Sequence, residues 1–424
     1  MRDRIGDLRR TSARTETELR EVVEGLRRGE DPPARRKRRR PPAPQLVRAA
    51  RALGIGTVLV HDRARPAPAV AAEAGTAVAV DLADTDALHA ALAPLHAAHP
   101  FGRVLSLTES GLLPAAAVAG RLGLPGNSLR TVDLLQDKRR MREVLNARGI
   151  GPVLTTAPPD AAGLAAFCRA AGGPVVLKPA AGTASQAVFE VAGPAEAEAV
   201  WRAFEAAGGT GPIAEEYLDG PEISVESFSY DGRHTVLAVT DKLTGPAFVE
   251  TGHTLPSSLP VPVLNEVTAL VVAFLDAVGL TEGPAHTEVK VTAKGPRILE
   301  SHNRIGGDKI RELLRRAYGL DLVALTAGCP FGLLPPPGAP PAARRGAAIR
   351  FLTPPPGTVR AIALPDTGGT TAEIRLGVTV GDPVRPVRRS QDRAGYVIAD
   401  GTDAADAARV CEALAGRVRI ETSG

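Results

Sequence analysis

The chain has 424 residues, 44% of them apolar, enough for two to four domains with substantial cores. No apolar run approaches the ~20 residues of a membrane span, and the charged N-terminus lacks the apolar centre of a signal peptide. Three widely spaced cysteines, Cys168, Cys329 and Cys411, imply neither a disulfide framework nor a zinc site, which fits a reducing cytoplasm.

The net charge of +4 comes from one end. Residues 1–45 hold 14 Lys/Arg against 8 Asp/Glu, net +6, so the remainder carries −2 and nucleic-acid binding by the folded body loses its main support. Residues 1–44 read as a basic extension. A charged helix with a sparse stripe (Leu8, Leu19, Val22, Val23, Leu26) precedes six consecutive basic residues, Arg35 to Arg40, set between proline pairs. That run is expected to be disordered. Weak nucleic-acid binding by the tail and a merely solvated extension are both compatible with it.

From Gln45 the pattern becomes α/β over residues 45–130. Leu46 to Leu53 reads as a helix. Gly56 to Val60, Ala77 to Val80 and Val104 to Leu107 read as three buried strands with Ala/Leu helices between them. Such alternation predicts an open parallel sheet. The strand that should precede the first helix is missing, because Arg35 to Pro44 cannot be a central strand. No Gly-x-Gly-x-x-Gly turn is present, so dinucleotide binding has no support.

A second region spans residues 131–330. One helix is expected from Asp133 through Lys138 and Val144 to the stop at Gly149. Gly173 to Pro179 is a strand ending in Lys178, and Ala180 to Gln186 is a loop of small residues. Backbone amides in such a loop can approach phosphate oxygens, with a lysine as point charge; an ordinary turn reads equally well. Ile223 and Val225 alternate with polar residues after an Asp219-Gly220 turn, so a strand leaves that turn. Glu250 to Ser258 reads as a long polar loop containing His253, and a helix follows from about Val263 to Val278.

Then comes the most informative stretch, His286 to Asp308. Thr287 to Thr292 alternates polar and apolar residues, Lys294-Gly295 is a turn signal, and Arg297 to Glu300 is a return strand. A three-residue loop, Ala293 to Gly295, would pair Thr292 with Pro296, Glu288 with Glu300 and His286 with His302. Period two then puts His286, Glu288, Glu300, His302 and Arg304 on one face. Two opposed carboxylates repel, so a cation should lie between them, and Mg²⁺ suits carboxylate and phosphate oxygens. A solvated hairpin face is the alternative, and a bulge would disturb the pairing. Beyond Gly328, Pro335 to Gly338 opens a linker over 331–344, and residues 345–424 look β-rich.

Glu288 followed by Glu300-Ser301-His302-Asn303-Arg304 resembles the metal and substrate segment of the ATP-grasp ligases. The His-x-Glu start, the Arg-x-Gly-Gly-Asp end and Ser390-x-x-Arg393-x-Gly395-Tyr396 look most like the amino-acid ligase (dipeptide synthetase) branch. The resemblance implies an α/β chain, α+β in parts. It would have a Rossmann-like N-terminal domain, an ATP-grasp domain with a lid at about 155–211, and a small β-rich C-terminal domain. It implies ATP and Mg²⁺ (or Mn²⁺) as cofactors. Glu288 and Glu300 would hold the metal, and Lys138, Lys178 and Ser185 would meet the phosphates. Glu215, Glu216, Tyr217 and Leu218 would lie at the adenine hinge and Glu222 near the ribose. Arg304, His302 and His253 would serve the acyl centre and substrates. The expected reaction joins a carboxylate to an amine through an acyl phosphate, releasing ADP and phosphate. The expected partners are small molecules, with no membrane and a homodimer left open. An ATP-grasp carboxylase and a non-catalytic nucleotide-binding scaffold are the alternatives.

Overall fold

The computed structural model describes residues 42–182, 186–245, 248–368 and 371–423. The expectations for the basic extension and for Ser185 lie outside these residues. The chain divides into two compact units: Met1–Leu129 with Gly319–Pro336, and Arg130–Tyr318 with Pro337–Gly424.

In the first unit, α1 (Pro42–Ala52) leads to β1 (Val58–Asp62), β2 (Thr76–Val80), α2 (Thr85–Ala98) and α3 (Glu109–Arg121). β1 and β2 pair in parallel, and Val80, Leu88, Leu92 and Val118 form the core beside them. The expected third strand, Val104 to Leu107, is not formed. The Ser106 hydroxyl accepts from Thr108 N–H and donates to Thr108 C=O, both at 3.2 Å. A serine that satisfies its neighbours' backbone in this way competes with a sheet ladder.

The second unit begins with α4 (Leu129–Gln136) and α5 (Lys138–Ala147), where one continuous helix was expected. Asp137 breaks it: its carboxylate caps the new helix by accepting from Arg139 and Arg140 N–H. A four-stranded sheet follows, in the order β3 (Thr155–Thr156), β6 (Pro212–Glu216), β4 (Val175–Pro179), β5 (Phe189–Val191). Helices α6 (Ala161–Ala171) and α7 (Ala197–Ala206) pack on it through Leu164, Phe167 and Phe204.

The larger sheet has eight strands. β7 (Glu222–Tyr230), β8 (Arg233–Thr244) and β9 (Glu250–Leu255) are followed by α8 (Val261–Val278) and the hairpin β10 (Gly283–Thr292) and β11 (Gly295–His302). After α9 (Ile310–Tyr318), and α10 (Leu322–Gly328) in the first unit, the C-terminal segment adds β12 (Gly346–Leu352), β13 (Gly357–Ala363), β14 (Glu373–Leu376), β15 (Pro383–Val384), β16 (Gly395–Gly401), α11 (Ala404–Arg417) and β17 (Arg419–Ser423). The order across the large sheet is β11-β10-β7-β8-β9-β12-β16-β14; β15, β13 and β17 form a small separate sheet. The expected polar loop at Glu250 is therefore strand β9. It pairs with β8 on one side and with β12 on the other, a partner about a hundred residues away.

Period two sorts the sheet's faces. Ile223 and Val225 point into a core with Val267, Val271, Phe274 and Leu275 of α8, residues spaced so as to share one helix face. Glu222, Ser224 and Glu226 point the other way. By length and composition, α8 is the one helix among the described residues apolar enough to cross a membrane; here its buried side chains form this core.

Candidate active site

The hairpin reaches the expected pairing by another route. Its turn has two residues, with Thr292 opposite Gly295, which shifts every later pair by one position. A bulge between Glu288 and Val289 shifts it back. Val289 faces Ile298, Leu299 is the extra residue, and Glu288 faces Glu300 and His286 faces His302. Ile298 is fully buried in the core, while Leu299 lines the cleft described below. The bulge thus adds an apolar side chain to the cleft wall without moving the carboxylates.

Each carboxylate has its own lysine and its own histidine. Lys242 Nζ lies 3.0 Å and His286 Nε2 3.4 Å from Glu288, whereas Lys138 Nζ lies 2.8 Å and His302 Nε2 3.3 Å from Glu300. Burial would push both acids up, but Lys242 holds Glu288 down at about 2 and Lys138 holds Glu300 well below the usual carboxylate range. Burial would push His286 down; the buried Glu226, 2.5 Å from its Nδ1, dominates and raises it to about 9. Gly306 covers this pair. A methyl group there would sit 2.7 Å from His286 Nδ1, so only glycine fits.

The opposite wall carries a second charged knot. Glu215 receives Lys178 Nζ at 2.6 Å and Arg142 Nε at 2.7 Å, and Arg142 also donates to Ile298 C=O. Burial works against this carboxylate, but the two cations hold it at about 2. Lys138 begins α5. Its N–H donates to Ala180 C=O (2.8 Å) and its ammonium to Gly182 C=O (2.7 Å), tying it to the small-residue loop. In that loop Ala187 holds a φ of 56°, in the left-handed region that favours glycine. At the hinge, Glu216 N–H donates to Leu154 C=O and Tyr217 N–H to Pro174 C=O, so both amides serve the sheet.

Between these walls lies a cleft of about 920 Å³ including its open mouth. Lys138, Lys178, Glu215, Glu216, Tyr217, Leu218, Glu222, Glu288 and Glu300 all line it. Arg304, His302 and His253 lie outside its lining. His302 stands behind Glu300, and Arg304 donates to Ile305 C=O at 3.1 Å. His253, expected in a polar loop as a substrate-binding candidate, is instead 1% exposed on β9, which β12 flanks. Among the described residues neither of its ring nitrogens has a hydrogen-bond partner, and Nε2 is 3.6 Å from Asp308.

Sequence reasoning passed over Arg142, Lys242 and Glu226, and gave Arg393 no role beyond its place in the C-terminal motif. Lys242 is the most telling. It is nearly fully buried and reaches Glu222 (2.6 Å), Glu288 (3.0 Å) and Glu250 (3.6 Å). A lysine ending the apolar run Val236 to Val239 with only two residues between was the available signal. Among the described residues no three His, Cys, Asp or Glu groups could together hold a metal. Two opposed, ionised carboxylates still suit Mg²⁺, which takes its remaining ligands from phosphate oxygens and water.

Three family profiles match along the chain: the ATP-grasp N-terminal domain at 47–126, the ATP-grasp domain at 171–312, and L-amino acid ligase C-terminal domain 2 at 350–423. The chain therefore carries an ATP-grasp N-terminal domain and an ATP-grasp domain. ATP-grasp ligases of this kind are ADP-forming carbon–nitrogen ligases that work through an acyl phosphate and generally use ATP with Mg²⁺. The uncharacterized protein y4rH of Sinorhizobium fredii is 27% identical over 352 residues, 78% of this chain and 70% of that one. Carnosine synthase 1 of Gallus gallus is 30% identical over 57% of this chain but only 28% of its own length. The crystal structure of L-amino acid ligase from Bacillus licheniformis superposes with a TM-score of 0.74 at 22% identity, covering 90% of this chain and 96% of that one. That last likeness concerns the ATP-grasp fold.

Proposed function

We propose that this ATP-grasp ligase joins the carboxylate of an amino acid to an amine, in the manner its similarity to amino-acid ligases and carnosine synthase suggests. One observation carries the reading: two ionised carboxylates, Glu288 and Glu300, face each other in a cleft that also holds Lys138 and Lys178. Charge arranged in this way favours attack at the γ-phosphorus, with ADP as leaving group.

The nucleotide would lie with its phosphates between Lys138 and Lys178, near the loop that includes Ser185. Its ribose would lie against Glu222, and its base beside Glu216 to Leu218 and the apolar Leu299. Glu215 would act through Lys178, fixing the ammonium that it already holds. Glu288 and Glu300 would hold Mg²⁺, which supplies neutralising charge for the transferring phosphoryl group. On nucleotide binding, Lys138 and Lys242 would exchange their present carboxylate partners for phosphate oxygens. The substrate carboxylate oxygen attacks the γ-phosphorus and ADP departs. The amine nitrogen then attacks the acyl carbon, phosphate leaves and the nitrogen loses a proton. Arg304 would stabilise the charge that develops on the acyl oxygens, with His302 supporting Glu300 and His253 supporting Asp308. Residues 155–211, built around the four-stranded sheet, would close over the nucleotide and exclude water. We place the reaction in a reducing cytoplasm, in which the three buried thiols stay free.

Hydroxylamine supplied with ATP and each amino acid in turn tests the reading. A hydroxamate formed together with ADP supports it. AMP as the nucleotide product, or bicarbonate as the sole acid accepted, would overturn it.

A further inference from the structure

The Gly306-Gly307-Asp308 loop begins two residues after Arg304, and its backbone is strained. Asp308 and Lys309 hold φ values of 47° and 69°, two successive left-handed residues that are not glycine. Such a conformation persists only where its surroundings hold it. The restraint comes from the C-terminal segment. Arg393 Nη1 and Nη2 lie 2.7 and 2.5 Å from the two oxygens of Asp308, a bidentate pair. The same guanidinium donates to Glu250 C=O at 3.1 Å and to Ser390 C=O at 2.8 Å, and stacks 3.6 Å from the centre of the Phe351 ring. Ser390 adds a bond from its hydroxyl to the Glu250 carboxylate at 3.1 Å. The Arg393 side chain is 2% exposed, so water competes little for any of these bonds.

We infer that Arg393 is a positioning residue for the ligase reaction: it clamps the Asp308 loop, four residues beyond Arg304, to the Glu250 strand and so fixes the Glu250 part of the cleft wall. The segment that carries it lies outside the matched ATP-grasp domain, so the C-terminal segment completes the site. Three strands meet in this one guanidinium: β9 through Glu250, β12 through Phe351, and the run into β16 through Arg393 itself. Glu250 lines the cleft, which makes the clamp's outer arm part of the site wall. The nucleotide-side groups Lys178, Glu215 and Arg142 touch none of these residues in their ion pairs, and Lys242 meets only the Glu250 carboxylate, at 3.6 Å, not the carbonyl that Arg393 holds. Losing the clamp should therefore impair the acid and amine while leaving the nucleotide alone.

This inference rests on the ligase reading, so its test has one arm that does not. In Arg393→Met, kcat with the best amino-acid pair should fall by about the 10²-fold that a 1 Å misplacement costs. KM for ATP should stay within about twofold. Arg393→Lys keeps the charge but not the fork and should recover only a part. Removing one member of a buried pair can unfold a chain. The double variant Arg393→Met with Asp308→Asn removes both charges; it should regain thermal stability and stay slow. Full activity in either the single or the double variant, or an ATP KM that rises in step with the loss of kcat, would overturn the clamp. Hydrogen exchange is the independent arm. Amides of residues 306–309 should lose protection in Arg393→Met while β4 and β6 keep theirs, and unchanged protection at 306–309 would also overturn it. A wild-type chain with no acid-dependent ADP release would remove the ligase reading and leave the exchange result to judge the clamp.

Discussion

Glu215 is buried and the pair Glu288/Glu300 is half-buried; all three are ionised and held by cations, yet they differ in kind. Glu215 sits between Arg142 and Lys178, and each oxygen receives one cation. It is a closed knot, with a wholly buried arginine that also ties to the backbone of β11. Glu288 and Glu300 face each other, share no cation in their ion pairs, and line the open cleft. Their lysines offset the repulsion but can be exchanged for other cations. The difference separates charge that holds the fold from charge that waits for a ligand.

The comparison breaks first at the knot. Glu215→Gln should cost about 3–5 kcal/mol of stability, because it leaves Arg142 buried without its counter-ion. Urea unfolding of the variant measures this. The pH dependence has a definite sign. The folded-state pKa of Glu215, about 2, lies below its ordinary value of 4.5. Its contribution is fully present above that ordinary value and is lost as pH falls towards 2. The gap in urea midpoint between wild type and Glu215→Gln should therefore narrow over that interval and stay constant above it.

The open pair should behave in the opposite way. Glu300→Ala should change stability little, since removing it relieves the repulsion on Glu288, but it should cut turnover by about 10²-fold or more. Coupled ADP release together with a melting curve reads both. If Glu300→Ala proved as destabilising as Glu215→Gln, the distinction between the two sites would fail.

Lys178→Met joins the two sites. Arg142 still partners Glu215, so the fold should survive, while ATP binding should weaken about tenfold, the worth of one charge-assisted contact. Calorimetry with ATP checks this. The smallest effect belongs to Leu299→Ala. It trims the bulge residue at the cleft wall and should cost about 1 kcal/mol in nucleotide affinity. The same change at the neighbouring Ile298 should instead destabilise the fold by about 2–5 kcal/mol, since Ile298 is core.

Much of this was legible in the residues. Local pattern identifies the strand that ends in Lys178, the strand β7 beyond the Asp219-Gly220 turn, and the face shared by His286, Glu288, Glu300 and His302. Each depends on period two and on a turn within a few residues. The hairpin shows where such reading stops. Counting from a three-residue loop pairs Glu288 with Glu300, as observed, but unbroken period two from there would turn Ile298, not Leu299, towards the cleft. The true two-residue turn and the bulge reverse those two side chains. Nothing in a one-dimensional pattern distinguishes two compensating shifts from none.

The sequence by itself determined that Glu288 faces Glu300 and offered Lys138 and Lys178 as candidates, because each lies in a short motif whose geometry is local. Tertiary structure alone decided what surrounds them. Lys242 meets Glu222 and Glu288 only because β7 lies between β8 and β10 in the sheet. His253 lies buried in a strand rather than in a loop because β9 pairs with β8 and β12. Arg393 reaches Asp308 across 85 residues of chain. Ion pairs act over a few ångströms of space whatever the separation along the chain, so their partners are set by strand order, which no local spacing encodes.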